Sequence, residues 1–201
     1  MTLRYLMGPL AALLVLAGPA FAACDEYIAV DNAQAKEAMA LLSKPEGDPI
    51  DKLSAFELLS CSDKPVLRAY AMKSGLNGIS DEIVRGQILM EMLMQRKLIR
   101  VMMKRSSNLD QEGKELVERV NGVLDFENRF QDRTQGCVSL GQTTECEKNA
   151  SLYFRGTTVD LMYSYGSLTG QFTLTPDNKL LGVMRVSGRS ADIASEIVLF
   201  E

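Results

Sequence analysis

SLYFRGTTVDLMYSYGSLTGQFTLTPDNKLLGVMRV, residues 151–186, holds the pattern that decides how this chain folds. Aromatic and β-branched residues gather in short runs, Ser151–Arg155, Val159–Tyr165 and Gly170–Leu174, and Gly, Thr and Ser punctuate them. Such runs suit a pleated, half-buried surface, so they read as strands. Pro176-Asp177-Asn178 supplies turn chemistry into Leu180–Val186, and Ser187-Gly188-Arg189 does the same into Ile193–Phe200, which predicts antiparallel hairpins. Val123–Phe130 and Cys137–Leu140 add earlier strands. Residues 123–201 are thus expected to form an antiparallel meander of about six or seven strands, rolled into a small sandwich or half-barrel.

Upstream, over residues 23–122, the pattern is helical. Asp31 and Gln34 stand at capping-box spacing around Ala33–Leu42, a run of strong helix formers. Pro45-Glu46-Gly47-Asp48-Pro49 ends that helix, and Asp48 with Pro49 opens a second to about Ser60. Ser62 or Asp63 with Pro65 opens a third, which Gly75 closes. Ser80 caps a longer helix predicted from Asp81 to Arg105. A fifth runs from Leu109 to Asn121, with Asn108 and Gln111 at capping-box spacing and Gly122 at the left-handed stop. Short links between such helices favour antiparallel hairpins, so the fold class is α+β with about five helices ahead of the sheet. The stretch from Asp31 to Leu93, with its Asp-Pro and Asp-Lys-Pro turns, resembles HEAT-type α-hairpin repeats, and the resemblance implies an interaction surface.

Residues 1–22 follow the export layout: Arg4, an apolar run from Leu6 to Ala17, the breakers Gly18 and Pro19, then Ala20-Phe21-Ala22 with small side chains at the cleavage positions. They are read as a signal peptide, with Ala23 first in a periplasmic or secreted chain. In a competing reading Phe21-Ala22-Ala23-Cys24 is a lipobox and Cys24 carries a lipid anchor, although Phe21 stands where Leu is usual. Four cysteines, Cys24, Cys61, Cys137 and Cys146, form an even set suited to disulfides in an oxidising compartment. The pairing Cys24–Cys61 and Cys137–Cys146 keeps each bond within one half of the chain.

The composition removes several chemistries. With no histidine, Ser-His-Asp and Cys-His nucleophilic machinery and His-ligated zinc are excluded in their usual forms. A net charge of −4 argues against nucleic acid as a partner, and no Gly-rich phosphate loop follows a strand. No cofactor, metal or transmembrane span of the mature chain is expected. Paired carboxylates remain available, Asp160 being the most interesting because it interrupts an apolar run, with Asp125 and Glu127 next. Arg96, Lys97, Arg100 and Lys104 would share one stripe about 100° wide on the predicted long helix, a candidate contact for an anionic surface such as phospholipid headgroups or an acidic partner. The reading that follows is an exported, non-catalytic protein that binds another envelope or secreted protein through its helical hairpins or a sheet edge. The alternatives are a carboxylate-dependent hydrolase of cell-envelope glycans and a secreted enzyme inhibitor presenting the Cys137–Cys146 loop.

Overall fold

A computed structural model describes residues 24, 26–141, 145–146, 149–164, 167–186 and 191–200. The expected signal peptide and its cleavage site, Tyr165, the Ser187-Gly188-Arg189 turn and the tip of the Cys137–Cys146 loop (142–144) lie outside the described residues.

The helices are α1 (Asn32–Ser43), α2 (Pro49–Ser60), α3 (Pro65–Ser74), α4 (Glu82–Met94) and α5 (Gln111–Arg119). Local chemistry starts them. The Asp31 carboxylate accepts from the backbone N–H groups of Ala33 and Gln34 while the Gln34 side chain accepts from the Asp31 N–H, a full capping box. Asp48 caps α2 with Pro49 in its first turn. Asp81 caps α4 where Ser80 was expected, and Asp110 caps α5 where Asn108 was. In both cases the residue next to the helix presents a carboxylate to the orphan N–H groups. Gly122, at φ +75°, turns the chain out of α5 as expected.

The predicted helix from Asp81 to Arg105 is corrected. It ends at Met94, and Leu98–Met103 is a strand, β1. Burial alternates along it, with Ile99, Val101 and Met103 inside and Leu98 and Met102 exposed, which is the period of a strand. The helical region therefore lends a strand to the sheet. The others are β2 (Val123–Glu127), β3 (Phe130–Asp132), β4 (Cys137–Ser139), β5 (Ser151–Arg155), β6 (Thr158–Tyr163), β7 (Leu168–Leu174), β8 (Leu180–Val186) and β9 (Ile193–Ile197). The expected strand Val123–Phe130 is split by Asn128-Arg129 into β2 and β3, which with β1 brings the sheet to nine strands.

The strand order is β2-β1-β9-β8-β7-β6-β5-β4-β3, antiparallel throughout. Its two outermost strands, β2 and β3, are neighbours in sequence. The Asn128 N–H donates to the Lys97 carbonyl beside β1 (2.9 Å), and the next N–H, of Arg129, to the Ser139 carbonyl in β4 (3.0 Å). A flat sheet cannot satisfy both bonds, so this one curls into a half-barrel whose edges meet at that seam. Phe126 of β2 and Tyr163 of β6 touch across the curl, ring centroids 5.1 Å apart and edge-on.

Helix α4 lies against the concave side. From Val84 to Met94 every residue but Gln87 is buried, as expected of a helix apolar nearly all round. Gly86 permits the approach: a Cβ there would meet the Gly156 backbone, in the β5–β6 turn, at 2.7 Å. Each of Ile88, Leu89, Met92 and Leu93, buried to 0 % exposure, contributes about 1.5–3 kcal/mol of transfer free energy. Apolar side chains from helices and sheet join in one contiguous core.

Two disulfides fasten the periphery, Cys24–Cys61 and Cys137–Cys146. The first ties the segment ahead of α1 to the end of α2, where Ile28 donates to the Cys61 carbonyl (2.9 Å) and accepts from Asp63 (2.8 Å). The second draws the loop after β4 back toward β5, whose Tyr153 hydroxyl donates to the Cys146 carbonyl (3.2 Å).

Candidate functional site

What ends α4 also builds the site. No Pro or Gly follows Met94; instead the Asn128 side-chain amide, at the seam, donates to the carbonyls of Met94 (2.8 Å) and Arg96 (3.0 Å). The Arg96 guanidinium reaches the carbonyls of Val198 and Leu199 just beyond β9. These bonds turn the chain into β1 and leave a hollow between the end of α4, the β2–β3 link, α3 and the segment after Cys24.

That hollow is a cleft of about 570 Å³, within the size range of binding sites. Five cations line it: Arg68, Arg96, Lys97, Arg129 and Arg133. Among the described residues no carboxylate does. Met72, Phe130 and Tyr27 supply apolar surface, with Met92 and Met94 fully buried behind them.

Each guanidinium has its own anchor. Arg68 donates to the Ser62 carbonyl (2.6 Å) and lies over the Tyr27 ring, 4.2 Å from its centroid. Arg129 pairs with Glu127. Arg133 grips the buried Glu91 carboxylate with Nε and Nη2, at 3.0 and 3.1 Å. Lys97 is exposed at the rim. The charges of Arg129 and Arg133 are met by Glu127 and Glu91. The electropositive character of the cleft therefore rests on Arg68, which a backbone carbonyl orients without cancelling its charge, and on the exposed Lys97.

No protein-family model matches this chain. Neither a curated protein nor a solved structure matches it.

Of the four basic residues singled out in the sequence, Arg96 and Lys97 line the cleft and Arg100 and Lys104 do not. The helical stripe that grouped them is replaced by a turn and a strand. Arg100 lies on the outer side of β1 and holds Asp125 of β2 through two bonds, at 2.8 and 3.0 Å. That bond keeps the Asp125 carboxyl below its ordinary range. Lys104 is exposed past the end of β1, where its N–H donates to the Ala194 carbonyl (2.8 Å). Sequence reasoning missed Arg68, Arg129 and Arg133. Arg68 lies far along the chain from Arg129 and Arg133, and only the folded cleft unites it with them.

The carboxylates fall elsewhere. Asp160, on the outer face of β6, pairs with Arg155 (3.2 Å) and accepts from Gln171 (3.1 Å). Glu37 and Asp51 share a groove of about 210 Å³ between α1 and α2, both exposed on helix surfaces and without the burial that general-acid chemistry uses. Behind the cleft, burial and the neighbouring charge of Glu91 push the Glu57 carboxyl up to about 7. In the Cys137–Cys146 loop, Cys137, Val138, Ser139 and Leu140 are buried, most of them in β4.

Proposed function

We propose that this chain is an exported, non-catalytic binding protein of the periplasm or cell envelope that docks another envelope or secreted protein. The observation that carries the reading is the residue set of the cleft at the seam. It offers cations and apolar surface, which is recognition chemistry, and among the described residues it has neither a carboxylate pair nor a nucleophile–base pair. Export draws its support from the leader-like residues 1–22 and from two disulfides compatible with an oxidising compartment. The bond from Cys24 to Cys61 favours a cross-linked Cys24 over a lipidated one.

The hydrolase reading has less behind it, since Glu37 and Asp51 lie exposed in a shallow groove. The inhibitor reading keeps only the part of its loop beyond Leu140, because the part before it is buried strand and neighbour.

The test has two arms. Intact mass of the protein from its native host should show loss of residues 1–22 and of four hydrogens, the latter following from two disulfides. Retention of the leader with four free thiols would sink export, and a diacylated Cys24 would replace the soluble form with an anchored one. Pull-down from the native envelope fraction with the mature chain should recover a protein partner, and reducing-sugar release from envelope glycans should stay at background. Catalytic release of sugars would replace binding with hydrolysis.

A further inference from the structure

We infer that the basic cleft at the seam takes an acidic, extended segment of the partner protein, its carboxylates meeting the cations of the rim and an apolar side chain resting against Met72 and Phe130. This rests on the docking function proposed above and names the chemistry of what docks.

The cations are anchored separately. Arg68 is held by Ser62 and Tyr27, Arg129 by Glu127, and Arg133 by Glu91, so their anchors belong to different parts of the fold: the α2–α3 link and the segment before α1, β2, and α4. Heads held by separate anchors are not free to swing together onto one phosphate or one carboxylate. A matching ligand therefore spreads its charge, and an extended acidic peptide does so with same-side carboxylates about 7 Å apart along the chain.

Charge complementarity favours this occupant over a second copy of the same chain, whose Asp125, Asp160 and Asp192 are already paired with arginines. Arg129 and Arg133 of the cleft are likewise paired with Glu127 and Glu91, and the cations that meet a ligand are Arg68 and Lys97. The apolar floor supplies what a purely ionic contact lacks. The half-buried Met72 thioether and Phe130 ring accept a Leu or Phe side chain without demanding one shape. A guanidinium stacked on the ring of Tyr27 keeps its edge donors available for carboxylate oxygens.

The test uses the mature, disulfide-bonded protein and a fluorescein-labelled short peptide alternating glutamate with leucine, read by anisotropy. The acidic peptide should bind and weaken as salt rises, and a counterpart with glutamine for glutamate should not bind. Lys97→Glu, at an exposed position, should weaken binding by about tenfold, as should Arg68→Gln. Lys114→Glu, which makes the same charge change on α5 away from the cleft, should leave binding unaltered. If Arg68→Gln disturbs the Tyr27 segment, Lys97→Glu decides alone, with its thermal melt as the check on folding.

Absence of binding, equal binding of the glutamine peptide, or an equal loss with Lys114→Glu overturns the inference. Preferential binding of vesicles rich in phosphatidylglycerol, or of inorganic phosphate, also overturns it in favour of a headgroup or a small anion. A partner recovered by pull-down whose capture Lys97→Glu and Arg68→Gln leave unchanged would remove the cleft and keep the docking function. Failure to recover any partner, with the acidic peptide still held by the cleft, would remove the docking function and keep the chemistry of the site.

Discussion

The two ends of α4 use the same residue types in opposite ways. At the N-terminal end Arg85 donates to the carbonyls of Ile79 (3.1 Å) and Thr175 (2.8 Å) and to the Asn178 side chain (3.1 Å). Beside it, Lys52 of α2 places its ammonium among the carbonyls of Lys44 (2.5 Å), Asn77 (3.3 Å) and Gly78 (2.9 Å). Asn178 also donates to the Asn77 side chain (3.1 Å), so one polar network stitches the helices to the β7–β8 turn. Burial draws the pKa values of Lys52 and Arg85 down, and the carbonyls take up their donors. At the C-terminal end Arg68 and Lys97 face a cleft. A cation enclosed by carbonyls acts as a cross-link, whereas one anchored from behind and open in front is available to a ligand. Residue type does not separate the two roles; the surroundings of the head group do.

Removing the covalent tie at the cleft end should have the largest effect. Replacing Cys24 and Cys61 together with Ser frees a loop spanning 37 positions and should lower unfolding free energy by about 4 kcal/mol in urea denaturation. A loss under about 1 kcal/mol would mean that noncovalent contacts hold that wall unaided.

Arg133→Gln should cost about 3 kcal/mol, because it leaves the Glu91 carboxylate buried, unpaired and close to Glu57. Adding Glu57→Gln should recover part of that loss in a double-mutant cycle. Strict additivity would separate the two acids.

At the other end, Lys52→Met should cost about 2 kcal/mol by leaving three carbonyls short of a donor, without altering peptide binding at the cleft. An effect on binding would show that the two ends communicate through α4.

The smallest effect has a pH signature. The folded protein holds the Glu57 proton up to about pH 7, against an ordinary 4.5, so the folded state binds more protons than the unfolded chain between those values. Stability should therefore fall as pH rises from 4.5 to about 7 and then level off. Glu57→Gln should raise stability by about 1 kcal/mol at alkaline pH, after allowance for solvent screening at this half-exposed site, and by nearly nothing near pH 4. A gain that is the same at both values would assign the effect to packing.

Much of the architecture was legible in the sequence. The capping box at Asp31, the Asp48-Pro49 start and the left-handed Gly122 are short-range devices whose donors and acceptors lie within a few residues of one another. The hairpin from β7 to β8 follows from turn residues between β-rich runs in the same way. The end of α4 was not legible. Its apolar run continues through Leu98–Met103, and the residue that caps it, Asn128, lies 34 positions away from Met94. Without that cap, Arg96, Lys97, Arg100 and Lys104 look like a helical stripe. With it, two of them turn toward the cleft and two point elsewhere.

The amino-acid sequence by itself determined that this is an α+β chain of capped helices ahead of an antiparallel sheet, with no histidine chemistry and an even set of cysteines. Composition and neighbour spacing are enough for those features. Only the tertiary structure decided that β1 belongs to the sheet, that the sheet curls until β2 and β3 meet, and that five cations from three separate segments of the chain line one cleft. The physical reason is range. A cap or a turn is closed by atoms a few bonds along the chain, but the seam forms only when the sheet has wrapped around α4 and Asn128 has reached the Met94 and Arg96 carbonyls.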